Sequence, residues 1–458
     1  MAGLRSDVLG VRRGKTGWRP PERRAAGEMC PSQWKHAFMV TSAVCVLVWV
    51  GMYNGGHTVY YPSGFSPENS ERTPLPCRPC QEHTNLAFVK VHKAGGTTLT
   101  CLLQRFGDLR NLSFVLPRKG INLGWPKQMS ESDFLPSLTG EYNILVQHVV
   151  FNKSTIGSVM PRDTKYITTI REPFSHLKSV FNWYKLARVY RVLGKNPVGE
   201  FLKSPAMYEA RRRDIIPSKT RNFMAFDLGF PIRTQSDNDT AIKEFISKMD
   251  EDFVLVIILE HLDESLVLLK RYLCWSLSDI LYWRQNKRNY QYKGTKLTTK
   301  QRRIHQKWSN VDYALYNHFN ATLWKKIEEQ GPDFWEEVRH FEALHNDVMH
   351  FCQSSRSMLN IRVGASRWNE EFYVDSRYCA KLKLWSIHYL NYLRKRYYFQ
   401  RVKMIKSKAS VHHVSVQKRS HCFSGSNNAT FTNRTASTLV DNMSTVPYTD
   451  DDIKKKRN

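Results

Sequence analysis

An α/β fold with a central parallel sheet flanked by helices is predicted for the middle of this 458-residue chain. From about residue 84, short runs rich in β-branched and aromatic residues alternate with segments of helical periodicity. Two of these runs pass through a turn directly into a helix with one apolar face. The hydrophobic fraction of 41% is enough for a sizeable core, which argues against disorder throughout.

The predicted sheet has four strands, each a short apolar run bounded by polar or turn-forming residues. The candidate strands are Leu86 to Val91, Asn143 to His148, Lys165 to Ile170 and Phe253 to Leu259. From about Gln301 the pattern is mostly helical and aromatic. We therefore assign residues 84–403 to one globular domain. Residues 404–458 are basic and rich in Ser, Thr and Asn, and are predicted to be a disordered tail.

An uncharged apolar run lies at Ala37 to Tyr53, behind a basic N-terminal segment. As a helix it would span about 26 Å, close to the thickness of the membrane interior. The positive-inside rule then predicts a cytosolic tail at 1–36, a transmembrane anchor at 37–53 and a lumenal remainder. A cleaved signal peptide is the alternative, but no clear small-residue cleavage site follows the run. Residues 54–83, rich in Gly, Pro, Ser and Asn, are predicted to be a stem.

Glycosylation sequons and cysteines agree with a lumenal location. Cys77 and Cys80 resemble a redox or zinc pair, but no further ligands accompany them, so we expect a disulfide within the stem. We also expect Cys352 to pair with Cys379, although seven cysteines beyond the anchor do not determine the connectivity. The Asn-x-Ser/Thr sequons begin at Asn111, Asn152, Asn238, Asn320, Asn428, Asn433 and Asn442.

The formal net charge of +28 indicates anionic ligands. Nucleic acid is a poor candidate, because the domain is expected to be lumenal and has no interleaved basic and aromatic motif. We find no cluster of His, Cys and Asp with convincing metal-ligand spacing, and we expect no metal.

The first candidate site follows the first strand, in the sequence LAFVKVHKAGGTTL. Gly95 and Gly96 would let the backbone approach an anion closely, and the N-terminus of the following helix would supply N–H donors. Lys93 adds a charge, whereas Thr97 and Thr98 add hydroxyl donors. The alternative is an ordinary turn with a solvated Lys93. The helix is predicted from the apolar spacing of Leu99, Leu102, Leu103 and Phe106.

The second candidate site follows the third strand, in KYITTIREPFSHLKSVFNWY. Arg171 lies where the strand ends, and Pro173 suits the first position of a helix. Ser179 lies about 9 Å along that helix from Pro173. Arg171 and Ser179 could together hold a second phosphate, although pairing of Arg171 with Glu172 is the simpler interpretation of this segment alone.

The third candidate site is NILVQHVVFN, where an apolar strand ends at His148. A histidine can accept a proton near neutral pH, and the end of a parallel strand is where ligands bind in open α/β sheets. His148 is therefore a candidate general base. His92, within the first loop, is its competitor.

These segments together resemble the galactose 3-O-sulfotransferase family. The loop KVHKAGGTTL is similar to the 5′-phosphosulfate loop of sulfotransferases, and the likeness continues through RFGDLRNLSFVLP, TTIREPFSHLKSVFNWY and HLDESLVLLKRYLCW. It covers roughly Asn85 to Arg396 and implies a P-loop-like sulfotransferase fold. Family loops usually have Ser where this chain has Gly96 and Thr97, and paired histidines where it has Gln147 and His148.

The resemblance implies a role for each candidate residue. Arg171 and Ser179 would hold the 3′-phosphate of the sulfuryl donor 3′-phosphoadenosine 5′-phosphosulfate (PAPS), and His148 would be the general base. Lys93 would also stabilise charge on the oxygen that leaves with the nucleotide. The 5′-phosphosulfate would be held by Lys93, Ala94, Gly95, Gly96, Thr97 and Thr98.

The implied function is transfer of a sulfuryl group to a hydroxyl, expected to be the 3-hydroxyl, of galactose in a glycolipid or glycoprotein glycan. The implied location is the Golgi membrane, with single-pass type II topology. A homodimer is one candidate for the assembly of this chain. A Golgi sulfotransferase for another acceptor, such as a glycosaminoglycan, is the enzymatic alternative. A non-catalytic type II glycan-binding protein is the other alternative, but binding alone does not require Lys93, Arg171, Ser179 and His148 together.

Overall fold

The structure is a computed structural model that describes residues 80–420, with gaps at 213, 215–216, 233–236, 285–291 and 355–359. Within 408–420 only the backbone is described. The predicted cytosolic tail, the apolar run at 37–53 and residues 54–79 of the predicted stem lie outside the described residues, as do Cys77 and the last three sequons. Among the helices that are described, none has the length and apolar character needed to cross a membrane.

The predicted parallel sheet is confirmed. It contains β1 (Leu86–Val89), β2 (Ile144–Leu145), β3 (Lys165–Ile170) and β4 (Phe253–Ile258), in the order β2-β1-β3-β4. Every neighbouring pair is parallel, so all four strands end at the same edge. The strand expected to reach His148 ends at Leu145, and His148 is joined to Asn122 by an isolated bridge instead. The strands are almost entirely buried, as is usual for a parallel sheet covered on both faces.

Helices surround this sheet. In chain order the described α-helices are α1 (Gly96–Leu109), α2 (Lys153–Gly157), α3 (Pro173–Trp183), α4 (Leu186–Val189), α5 (Pro197–Phe201), α6 (Pro205–Ala210), α7 (Phe223–Asp227), α8 (Asp239–Asp252), α9 (Leu262–Leu273), α10 (Leu277–Ile280), α11 (Thr299–Trp308), α12 (Asn310–Glu328), α13 (Phe334–Gln353), α14 (Ser376–Lys383) and α15 (Ser386–Ser420). Single 3₁₀ turns occur at Glu131–Asp133 and Leu259–His261. The predicted helical character after Gln301 is confirmed, with the addition of an antiparallel pair, β5 (Ile361–Val363) and β6 (Phe372–Val374).

The apolar faces predicted for the two site helices are buried. In α1 the predicted face packs into the main core. In α3, Leu177, Val180 and Phe181 join a second cluster with residues of α4 to α7, beside the sheet edge at which the strands end. Burial of the α3 face fixes the rotation of that helix, and therefore fixes which of its polar side chains point to the loops. The α1 helix is enclosed on every side instead, because residues 98–108 are all buried. The predicted apolar face within it consists of Leu99, Leu102, Leu103 and Phe106.

The structure contains two disulfides among the described cysteines. Cys352 pairs with Cys379, as expected. The expected stem disulfide is wrong, because Cys80 pairs with Cys274 at the end of α9. The chain before β1 runs along this helix end, where the indole N–H of Trp275 donates to the carbonyl of His83 at 3.0 Å. This contact brings together cysteines 194 residues apart, which local spacing does not reveal.

The last helix is longer than the sequence pattern suggested. α15 packs through Tyr389, Leu390, Leu393 and Tyr397 and then continues to Ser420, with residues 401–407 all exposed. Residues 404–420 are thus described as helical, where the sequence pattern predicted the start of a disordered tail. This stretch contains neither Gly nor Pro, so nothing in its sequence interrupts a helix that the preceding buried turns have started.

Candidate active site

The site lies at the edge where the parallel strands end. The segment after β1 carries His92 and Lys93, the segment after β2 carries His148, and Arg171 directly follows β3. Because β1 lies between β2 and β3, these three segments are neighbours. The topology therefore brings the loop after β1, His148 and Arg171 to the same edge, at the position where open parallel sheets bind ligands.

The loop between β1 and α1 is shaped by its glycines. Gly95 has a φ of 81°, and a Cβ there would lie 2.4 Å from Cδ1 of Leu259 at the end of β4. The hydroxyl of Thr169 donates to the carbonyl of Ala94 at 2.9 Å, which anchors the loop to β3. α1 begins at Gly96, and no side chain caps it. The N–H groups of a first helical turn lack intrahelical acceptors, so this loop presents donors suited to an anion.

Two lysines flank this loop in different environments. Lys90 is buried beneath Gly96, where an added Cβ would lie 2.9 Å from its Cγ, and burial lowers the pKa of Lys90 to about 8. Lys93 is partly exposed in the left-handed region, with a φ of 61°. Its ammonium lies 4.0 Å from the ring centroid of Trp183, the last residue of α3. Lys93 is thus at the mouth of the loop, and Lys90 is beneath it.

One face of α3 is directed at the same loop. His176, Ser179 and Trp183 are spaced i, i+3 and i+7, which places them on one side of a helix. His176 donates from Nε2 to the carbonyl of His92 at 2.8 Å, and Trp183 meets Lys93. Ser179 lies between these two contacts and is partly exposed. Ser179 therefore lies on the same side of α3 as the two residues that contact the loop after β1.

Arg171 connects β3 to that loop. Its Nη1 donates to the carbonyl of Lys93 at 3.4 Å. The simpler interpretation, a pair between Arg171 and Glu172, is not observed among the described residues. The carboxylate of Glu172 instead caps α3 by accepting the N–H groups of Phe174 and Ser175, at 3.0 and 2.6 Å. The guanidinium of Arg171 is therefore not committed to its neighbouring carboxylate.

His148 is buried next to the loop. Its Nδ1 contacts the carbonyl of Lys90 at 3.0 Å. A carbonyl only accepts, so Nδ1 carries the proton and Nε2 of the neutral ring keeps its lone pair. The pKa of His148 is held well below its usual 6.5, first by burial and then by the nearby charges of His92 and Lys90. This ring is therefore neutral at physiological pH and able to accept a proton.

A fourth group at the site was missed from the sequence. Asp227, the last residue of α7, is fully buried and accepts from Nδ1 of His92 at 2.8 Å. His92 in turn stacks on His148, with 3.9 Å between ring centroids and 16° between planes. Asp227 lies 135 residues from His92 along the chain, and a single acidic residue within AFDLG carries no local signal of this contact.

The position of Asp227 depends on the helical layer. α7 is fastened to α12 because the carboxylate of Asp312 accepts the N–H groups of Met224 and Ala225, at 3.3 and 2.9 Å. Burial raises the pKa of Asp312 to about 7. Beside this helix, the amine of Lys219 lies 4.3 Å from the ring centroid of Trp125, and burial lowers its pKa to about 8. The region around Asp227 thus contains aromatic rings and one lysine.

The described parts of 80–420 contain no group of three or more His, Cys, Asp and Glu side chains that could hold a metal ion.

A sequence model of the family described as galactose-3-O-sulfotransferase matches residues 31–365, most of the chain. The chain belongs to this family. The galactose-3-O-sulfotransferase resemblance inferred from sequence motifs is therefore confirmed, and with it the assignment of the chain as a galactose sulfotransferase. The parallel α/β sheet flanked by helices agrees with a sulfotransferase fold. Membership of this family implies PAPS as the sulfuryl donor.

Individual relatives agree with the galactose-3-O-sulfotransferase assignment. Galactose-3-O-sulfotransferase 3 of Bos taurus is 30% identical over 326 residues, which cover 69% of this chain and 74% of the relative. Galactose-3-O-sulfotransferase 2 of Homo sapiens is 34% identical over 275 residues, 59% of this chain and 68% of the relative. The galactosylceramide sulfotransferase of Bos taurus is 32% identical over 261 residues, 55% of this chain and 60% of the relative.

Proposed function

We propose that the chain transfers a sulfuryl group from PAPS to the 3-hydroxyl of galactose in a glycolipid or glycoprotein glycan. The observation that carries this proposal is the meeting of a glycine-shaped anion loop, Arg171 with Ser179, and His148 at one edge of the sheet. A donor with two anionic ends needs two anion sites, and a hydroxyl acceptor needs a group to take its proton.

The residues after β1 would bind the 5′ end of PAPS, and the residues after β3 would bind its 3′-phosphate. The backbone N–H groups at the start of α1, together with Lys93 and the hydroxyls of Thr97 and Thr98, would hold the 5′-phosphosulfate. Arg171 and Ser179 would hold the 3′-phosphate. The path of this loop requires a glycine at position 95, because a side chain there would meet Leu259.

The acceptor hydroxyl must lose its proton as its oxygen attacks sulfur. We assign the proton to Nε2 of His148, because Nδ1 of that ring is already committed to the carbonyl of Lys90. Lys93 would stabilise the negative charge that develops on the oxygen leaving with the nucleotide. These roles require a positioned positive charge and a neutral imidazole. Lys93 and His148, at the edge of the sheet, have these properties.

A sulfate-transfer assay tests this function directly. Purified full-length protein is incubated with labelled PAPS and galactosylceramide, Galβ1-4GlcNAc, Galβ1-3GalNAc or heparan. We expect label on at least one galactose acceptor, at the 3-hydroxyl when the product linkage is determined. Transfer to heparan alone would make the chain a glycosaminoglycan sulfotransferase. Glycan binding without any transfer would support the non-catalytic alternative.

The proposal includes a Golgi location, a type II anchor at residues 37–53 and, as one assembly, a homodimer. The uncharged run behind a basic N-terminus and the sequons motivate the topology. Among the described sequons, Asn111 is exposed on the surface. Asn320 lies within α12, and its Oδ1 is buried without a hydrogen-bond partner. A lumenal domain should therefore carry glycan at Asn111 and none at Asn320.

Glycosidase treatment of the protein made in mammalian cells is expected to lower its apparent mass. Asn111→Gln should remove one step of that shift, because the exposed asparagine is accessible to the glycosylation machinery. Asn320→Gln is the matched control and should leave the shift unchanged. Protein with no glycan at any sequon would contradict the lumenal orientation. Golgi markers in fluorescence microscopy and chemical crosslinking of intact membranes test the location and the dimer.

A further inference from the structure

Asp227 lies within the site and contacts His92, but sulfuryl transfer as proposed assigns it no role. We propose that Asp227 is a positioning residue for sulfuryl transfer, which orients His92 against His148 and offsets the positive charge that forms when His148 takes the acceptor proton. This inference rests on the proposed function. It adds a buried carboxylate, supplied by α7, to the groups contributed by the ends of β1, β2 and β3.

The carboxylate of Asp227 contacts both the backbone and the imidazole ring of His92. Oδ2 accepts the backbone N–H of His92 at 2.7 Å and approaches Nδ1 of the same residue at 2.8 Å. Oδ1 accepts the indole N–H of Trp125 at 2.8 Å. An ionised carboxylate can only accept, so Nδ1 of His92 carries a proton. The same side chain thus sets the backbone, the tautomer and the ring plane of His92.

The oriented ring of His92 determines the surroundings of His148. The two imidazoles are stacked at 3.9 Å, and each is held at Nδ1, His92 by the carboxylate and His148 by the carbonyl of Lys90. Rings of Trp125 and Phe223 pack on His92 at 4.4 and 5.2 Å. Neither imidazole can rotate without breaking one of these contacts. The two Nε2 atoms therefore keep fixed positions.

The reaction places a charge on this pair. As the galactose oxygen forms its bond to sulfur, its O–H bond breaks and the proton moves to Nε2 of His148. The bond from sulfur to the nucleotide oxygen breaks at the same centre, and that oxygen keeps the electron pair. His148 becomes a cation in a buried place, which burial opposes. Asp227, one stacked ring away, supplies an opposite charge.

Other charged and titratable groups face this cluster from each neighbouring element. From the first loop, Lys90 and Lys93 oppose a positive charge on His148. From α3, His176 contacts the backbone of His92, and from the segment before α7, Lys219 faces Asp227. From α12, Asp312 is a second buried carboxylate near Asp227, but its oxygens accept backbone N–H groups of α7. Among the described contacts, Asp227 is therefore the carboxylate that meets the ring of His92.

The test compares Asp227→Asn with Asp252→Asn in the full-length protein. The two changes are identical and both remove a buried carboxylate. Asp252, however, ends α8 beside the amino end of β4, at the opposite edge of the sheet, where its Oδ1 accepts from the amine of Lys153. In Asp227→Asn the new amide can donate to Nδ1 of His92 and so favours the wrong tautomer. We expect kcat to fall about 10²–10⁴-fold, a range that runs from the loss of one positioned charge to the effect of a disrupted tautomer.

The pH profile separates positioning from a structural role. Without the carboxylate an imidazolium is less stable, so the acidic limb of kcat against pH should move to lower pH. Binding of the product nucleotide, followed by calorimetry, should change less than about threefold, because the contacts of Asp227 are to His92 and Trp125 and not to the residues assigned to the two anion sites. Asp252→Asn should keep the wild-type kcat and pH profile. If Asp227→Asn yields too little folded protein, His92→Asn, whose amide can still donate to Asp227, should show the same loss.

Three outcomes would overturn the inference. The first is wild-type kcat and pH dependence in Asp227→Asn. The second is a lower melting temperature with an unchanged kcat per folded molecule, which would make the carboxylate merely structural. The third is wild-type transfer by His92→Asn. Failure of the proposed function looks different, since the wild-type protein would then transfer no sulfate to any acceptor.

Discussion

Replacing His148 with alanine is expected to abolish most sulfate transfer, lowering kcat by about 10²–10⁴-fold, the usual contribution of a general base. Binding of the product nucleotide should remain nearly intact, since the anion loop and Arg171 are unchanged. Calorimetry with that nucleotide and transfer kinetics on the same preparation provide the measurement. In the wild type, kcat/KM should rise through one ionisation below pH 6.5, because the pKa of the buried His148 lies well below that value. The residual activity of His148→Ala should lack this ionisation.

The choice of controls makes this result specific. His345→Ala removes another buried histidine that also contacts a backbone carbonyl, that of Tyr282 at 2.8 Å, but it lies in α13. It should keep wild-type kcat per folded molecule. His92→Ala should perturb the loop and weaken nucleotide binding as well as transfer. Normal transfer by His148→Ala together with inactive His92→Ala would show that the base is misassigned. Activity in both variants would direct attention to a carboxylate at a strand end, such as Glu260.

Replacing Lys93 with alanine is expected to lower kcat by about 10²–10³-fold, the usual effect of removing one donor that stabilises transition-state charge. The ammonium lies at the mouth of the loop, held over Trp183, where it can turn toward a bound phosphosulfate. Arg171→Ala should act differently and mainly weaken PAPS binding, because the 3′-phosphate is remote from the reacting sulfur. Steady-state kinetics with PAPS varied would separate the two effects.

A lysine at the opposite edge of the sheet is the matched control. Lys326 donates to the carbonyl of Val254 at 3.0 Å, near the amino end of β4, so Lys326→Ala should leave kcat and the KM for PAPS unchanged. Wild-type kinetics in both Lys93→Ala and Arg171→Ala would remove the assignment of two anion sites. A loss confined to PAPS affinity in Lys93→Ala would instead make that lysine a ground-state ligand.

The parallel sheet and its loops could be predicted because their signals are local. β3 has the bounds expected from its apolar run, and the buried faces of α1 and α3 follow directly from periodicity. β2 was overestimated, because apolar residues continue past Leu145 while the ladder does not. Burial of Val146 and Val149 comes from packing outside the sheet, and an apolar run cannot distinguish the two situations.

The sequence by itself determined the class of fold and the family. Both follow from local signals, since the glycines, Lys93, Arg171 and Ser179 lie within short strand-turn-helix segments. Only the tertiary structure decided which side chains meet. It paired Cys80 with Cys274 and placed Asp227 against His92, contacts that join residues 194 and 135 positions apart. The physical reason is that helix faces and turns depend on neighbouring residues, whereas these contacts depend on how α7 and α9 pack against the rest of the fold. In this chain the carboxylate that pairs with His92 was therefore visible only after folding.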